Sequence, residues 1–192
     1  MKSPLILTGT LMAATLMAAC QADQPQATAD APAEAAQAAA PATDAPPATQ
    51  AQDAMTDYLA RASALRDALQ GGGDIPALRQ DATALMDLGA GMVPAFVEEH
   101  PHCREYLDVA LQVRTAWPTL DLETIEHDYH HDGILPQIEN SGVCYHMKDL
   151  ITHPATVLVV LKDEQPDWDK ARAEVEEIIA HAGVVERGPE GE

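Results

Sequence analysis

Seven of the eight histidines in this 192-residue chain lie between His100 and His153. Imidazole is the commonest side-chain ligand for transition metals, so that density is the chain's first chemical signal. The richest stretch is Glu126-His127-Asp128-Tyr129-His130-His131-Asp132. On a helix, His127 and His131 stand one turn apart on a shared face, and so do Glu126 and His130. Two imidazoles so spaced form a two-point grip for a divalent transition metal. Neighbouring carboxylates complete the shell or orient a ring through its second nitrogen. The expected ligands are His127, His131 and His146, followed by His102, His130 and His153. Such a donor set suits zinc, copper or nickel.

Two cysteines bear on the same region. The chain has three, Cys20, Cys103 and Cys144. If Cys20 is engaged elsewhere, Cys103 and Cys144 remain as an even pair, most simply a disulfide in an oxidising compartment. Free thiols or soft metal ligands are the alternatives. A disulfide would set the two α-carbons about 5–6 Å apart. It would draw His100, His102 and His146 towards one another and enclose the dense cluster in the closed loop. His153, seven residues after His146, recurs on about the same helix face.

Other chemistries find less support. Met92 or Met147 with a histidine could supply the axial ligands of a b-type haem between helices. There is no Cys-x-x-Cys, Gly-x-Ser-x-Gly, His-Glu-x-x-His or glycine-rich phosphate loop. Cys144 and His146, two residues apart on a helix, would point to different faces and make a poor nucleophile pair. The expectation is a non-enzymatic protein whose bundle binds another protein or has a structural role, with transition-metal binding as the alternative and a haem or redox centre as the second. The net charge of −20 opposes binding to nucleic acid and lying flat on anionic headgroups. It favours cationic partners, metal ions or simply a solvated acidic surface.

The elements that must position these residues are helical. Met55, Leu59, Ala62, Leu65 and Leu69 recur at spacings of three and four, with Asp53 as a cap and Gly71-Gly72-Gly73 as a stop. A second helix starts at Asp74, with Pro76 in its first turn and an inner stripe of Leu78, Ala82, Leu85, Leu88 and Met92. Pro94 is expected to kink or end it. A third runs from about Pro101 to Trp117, and a shorter one from Asp121 to Asp132, closed by Gly133. The stretch from Val143 to Leu161 is expected to break at His153-Pro154. Its β-branched second half, from Thr156, has no partner strand and reads as a buried helix. A last helix, from Asp167 to about Ala182, turns Trp168, Ala171, Val175 and Ile178 inward. The sum is an all-α, antiparallel helical bundle of four long helices plus one or two short ones, over residues 53–187, with a tail at 188–192.

The N-terminus reads as an address. Met1-Lys2 precedes a short apolar run that ends in Leu16-Met17-Ala18-Ala19-Cys20. A basic start, an apolar stretch and small residues before a cut site make a secretory signal over residues 1–19. The apolar run is shorter than the roughly 20 residues that span a bilayer. A Cys directly after the small pair resembles the lipobox of bacterial lipoproteins, with Met17 where Leu is usual. The resemblance implies cleavage before Cys20 and a lipid on its sulfur, anchoring the chain to a membrane. With Gln21 next, it implies the outer membrane of the bacterial envelope, facing the periplasm. Gln21 to Gln52 has no Leu, Ile, Val or aromatic residue, too little apolar surface to offset chain entropy. Residues 20–52 are therefore expected to be a lipidated, disordered tether reaching about 30 Å.

Overall fold

The computed structural model describes residues 47–138 and 142–188. The signal segment, Cys20, most of the tether and the last four residues lie outside them. The described part is all-helical, as the periodicity requires: α1 (Pro47–Gln70), α2 (Ile75–Glu99), α3 (Arg104–Val113), α4 (Leu122–Thr124), α5 (Gly142–Val160) and α6 (Trp168–Arg187). Helix α4 passes directly into a π-helical turn, Ile125–His130. Helix α1 begins at Pro47, before the expected Asp53, so part of the expected tether is helical.

Four helices form the bundle. Helix α1 packs on α2 and α6, and α5 packs on α2 and α6. The short connections make α1/α2 and α5/α6 antiparallel neighbours. The α1–α2 turn uses Gly72 at a φ of +61°, a conformation that costs glycine little. Asp74 then caps α2 by accepting the Ala77 amide, and Asp167 caps α6 by accepting that of Lys170. Tyr58, fully buried, takes the core position expected of Leu59, which packs only at the margin.

Helix α5 is the central element. Sixteen of its residues are buried, including the whole run from Met147 to Val160, because neighbours cover every face. This explains its β-branched second half: a helix enclosed on all sides needs no solvent-facing stripe, and its buried polar residues, Lys148, Asp149, Thr152, His153 and Thr156, are enclosed by the protein. It does not break at Pro154. Proline at that position deprives the Leu150 carbonyl of its usual i+4 donor. The Tyr58 hydroxyl of α1 donates to that carbonyl at 2.6 Å, so a tertiary contact replaces the missing bond. Helix α2 likewise continues past Pro94, with Val93 and Val97 buried on either side of it. In both helices, packing of the flanking residues overrides the local cost of the ring.

The same carbonyl fixes the approach of α2 to α5. A Cβ at Gly89 would lie 2.6 Å from Leu150 O, whereas one at Gly91 would meet nothing within 4 Å. Alanine is favoured over glycine in a helix by about 1 kcal/mol, but overpacking costs about 1–3 kcal/mol. Gly89→Ala is therefore expected to destabilise the domain by on the order of 1–2 kcal/mol, and Gly91→Ala to stabilise it slightly. Paired urea unfolding curves check the opposite signs; equal shifts for both variants contradict the close approach.

Between α2 and α5 runs a long connection that carries α3, α4 and the π-turn. It is stapled to the bundle by a disulfide between Cys103 and Cys144, whose α-carbons are 5.3 Å apart. The expected pairing is thus formed, and closing a loop of 41 residues stabilises by about 4 kcal/mol in the chain-entropy account. Asp121 caps α4 by accepting the Thr124 amide at 2.7 Å. At the far end, Asp132 rather than Gly133 adopts the left-handed conformation, with a φ of 57°. Gly133 is needed for another reason: a Cβ there would sit 2.6 Å from the His127 carbonyl oxygen.

Candidate metal centre

The histidines converge where α5, α6 and the π-turn meet. His153 of α5 lies at the bottom, its side chain fully buried. Two trains of rings reach it from the surface. In one, exposed His131 stacks on His130 at 4.6 Å, and His130 meets His153 edge-on at 4.5 Å. In the other, His146 packs on His181 at 4.8 Å and His181 stacks on His153 at 5.0 Å. His146 and His181 bring their Nδ1 atoms to 2.5 Å, within hydrogen-bond distance.

Carboxylates set the orientation of the inner rings. His153 Nδ1 is 2.7 Å from Glu174 Oε2, and His130 Nδ1 is 2.7 Å from Glu126 Oε2. A carboxylate on Nδ1 fixes the proton there and leaves Nε2 as the lone-pair donor, the arrangement common to metal-bound histidines. His153 Nε2 accordingly has no hydrogen-bond partner although fully buried, and both oxygens of buried Asp149 also lack one of good geometry. Glu177 Oε2 lies 3.4 Å from His153 Nε2 and 4.0 Å from His130 Nε2. His181 Nε2 lies 3.7 Å from Asp149 Oδ2. Two sets of donors sharing His153 can each surround one ion: His130, Asp149 and His153, and His153, Glu177 and His181. Glu177 is half exposed, so the centre is reachable from solvent.

The electrostatics suit a cation. Burial, then the charges of His153 and His146, depress the His181 pKa to about 3, which keeps its imidazole neutral and its lone pair available at neutral pH. Burial lowers His130, but the Glu126 hydrogen bond and the Asp149 and Glu126 charges outweigh it and raise it overall. Glu126 is held at about 2 by its bond to His130, helped by Lys170 and opposed by burial. Its contribution to stability is present above the ordinary glutamate range and is lost as pH falls towards 2. Asp149 is raised by burial, against the opposing Lys148 and His153.

Of the six histidines expected as ligands, His130 and His153 occupy the centre and His131 and His146 its two outer ends. The two-point grip expected of His127 and His131 is not formed. His127 is 78% exposed, its Nδ1 pairs with Asp128 Oδ1 at 2.8 Å, and it belongs to none of the donor groups among the described residues. His102 stays with the disulfide, its Nε2 3.6 Å from Cys103 Sγ, and faces His100 rather than His146. With both sulfurs bonded to each other, that corner offers no thiolate. Met92 and Met147 line a separate cleft of about 700 Å³ whose one histidine is His100.

Sequence reasoning missed Asp149, Glu174, Glu177 and His181. The signal was present. Lys170, Glu174, Glu177 and His181 recur at helical spacing beside the apolar stripe of α6, as do His146, Asp149 and His153 on α5. Polar residues at core period, read together across two helices, outline the centre. The fold and site define a helical bundle with a buried histidine–carboxylate cluster. No protein-family model matches the chain, and no curated protein or solved structure does either.

Proposed function

We propose that this chain is a transition-metal-binding domain, tethered in the bacterial envelope through Cys20, that holds its ion among His153, His130, His181, Glu177 and Asp149. One observation carries the reading: His153 is fully buried, oriented by Glu174 through Nδ1, and its Nε2 has no hydrogen-bond partner. A buried polar atom without a partner costs about 1–3 kcal/mol, a cost that a metal bond removes. Buried Asp149, beside it and 2.9 Å from the Lys148 ammonium, adds a carboxylate donor. Imidazole with carboxylate suits zinc, copper(II) or nickel, and the paired cysteines take soft thiolate donors out of reach. The envelope address rests on the lipobox resemblance at Cys20.

The test is metal stoichiometry in protein purified without a His-tag. Chelator-stripped protein titrated with zinc or cobalt(II) is expected to bind about one equivalent, with a rise in melting temperature at saturation. Binding well below one equivalent, or no change in melting temperature, rejects the reading.

A further inference from the structure

Lys170 lies outside the set of metal donors, yet both inner histidines connect to it. Its ammonium is 2.8 Å from Glu126 Oε1 and 2.5 Å from Glu174 Oε1. The opposite oxygen of each carboxylate holds a histidine: Glu126 Oε2 takes His130 Nδ1, and Glu174 Oε2 takes His153 Nδ1, both at 2.7 Å. The result is an arch, His130–Glu126–Lys170–Glu174–His153, that spans the π-turn, α6 and α5. Its two feet are imidazoles whose centroids stand 4.5 Å apart.

We infer that Lys170 is a positioning residue for the metal centre: one ammonium locks both carboxylates, and these lock both imidazoles with Nε2 turned inward. This rests on the metal-binding reading above. The physical argument is that a carboxylate bonded on one oxygen only can rotate, and the ring it holds rotates with it. Fixing the second oxygen removes that freedom on both sides at once. Glu174 is 1% exposed, so its unheld oxygen would otherwise be a buried charge without a partner. Lys170 itself is one-third exposed.

The sign of the effect separates this role from a simple one. A lysine near a cation site repels the ion, so a purely electrostatic account says that removing it tightens binding. Positioning says the reverse. Outer-shell partners of metal ligands typically govern affinity by 10–100-fold.

The experiment titrates cobalt(II) alone into the full chain, wild type against Lys170→Met and Lys170→Arg, following affinity and the visible ligand-field spectrum. Lys170→Met is expected to bind about 10–100-fold more weakly with an altered spectrum, and Lys170→Arg, which can still bridge two carboxylates, to recover most of both. Unchanged or tighter binding by Lys170→Met, with the wild-type spectrum, overturns the inference. If Lys170→Met does not fold, Lys170→Gln, neutral but able to reach one carboxylate, carries the same expectation and the same overturning result. A wild type that fails to bind cobalt at one equivalent sinks the metal-binding reading itself; a wild type that binds, beside an indifferent Lys170→Met, sinks only the role of Lys170.

Discussion

Replacing His153 with leucine is expected to abolish stoichiometric metal binding, weakening it by more than about 100-fold, while the domain stays folded. The bound is set by the smaller effect of losing an outer-shell partner alone, which typically costs 10–100-fold. His153 belongs to both donor sets at the bottom of the cluster; the remaining set there, Glu126, His130 and His131, lies further out and already has Glu126 paired with Lys170. Folding should survive for two reasons. Leucine approximates the ring's volume on a fully buried helix, next to Ile151, Pro154 and Val157, and the substitution removes an Nε2 that has no hydrogen-bond partner in the metal-free protein. Glu174 loses the imidazole but keeps Lys170. His127→Ala is the control, because that ring is exposed and outside the centre. Zinc titration by calorimetry, with circular dichroism to verify the fold, reads both variants. If His153→Leu binds like the wild type while folded, the ion is not held in this cluster.

The fold was largely legible because helical periodicity is local. The apolar stripes of α1, α2 and α6 announce themselves within one segment, and Gly71-Gly72-Gly73, Asp74 and Asp167 delimit them, although α1 starts at Pro47 rather than Asp53 and α6 runs past the expected Ala182 to Arg187. Two things escaped for one physical reason. The continuity of α5 through Pro154 depends on Tyr58, 92 residues upstream along the chain, whose hydroxyl satisfies the carbonyl that proline strands. The centre's acidic half depends on α6, whose Glu174 and Glu177 look like ordinary surface charge until α5 is laid beside it. Local density drew attention to His127 and His131, yet density is not convergence. The residues that converge come from α5, α6 and the π-turn, and only packing shows that they meet.

Lys148 is the second place where a single change should have a large effect. Its side chain is fully buried on α5 and donates to the Tyr129 carbonyl at 2.7 Å, the His130 carbonyl at 2.7 Å and Asp132 Oδ1 at 3.0 Å. The ammonium also lies 2.9 Å from Asp149 Oδ1 and 4.3 Å from the centroid of the Tyr145 ring. Asp132, which Tyr106 also holds at 2.7 Å, is the residue in the left-handed conformation that closes the π-turn. Lys148 thus gathers the orphaned carbonyls at the end of that turn and sets where His130 stands. Lys148→Met keeps the volume but strands two carbonyls and leaves Asp149 as an uncompensated buried charge. Breaking a buried pair this way costs about 3–5 kcal/mol, which lowers the melting temperature by on the order of 10 °C in a domain of this size. Lys148→Met combined with Asp149→Asn should recover part of the loss, because the second change removes the stranded charge. Metal should reduce it too: a divalent ion beside Asp149 supplies the positive charge that methionine does not, so the gap to wild type should narrow when zinc is added. Thermal unfolding of the metal-free and zinc-loaded proteins measures both quantities. A metal-free Lys148→Met that melts within a degree or two of wild type would show that the ammonium does not brace the turn.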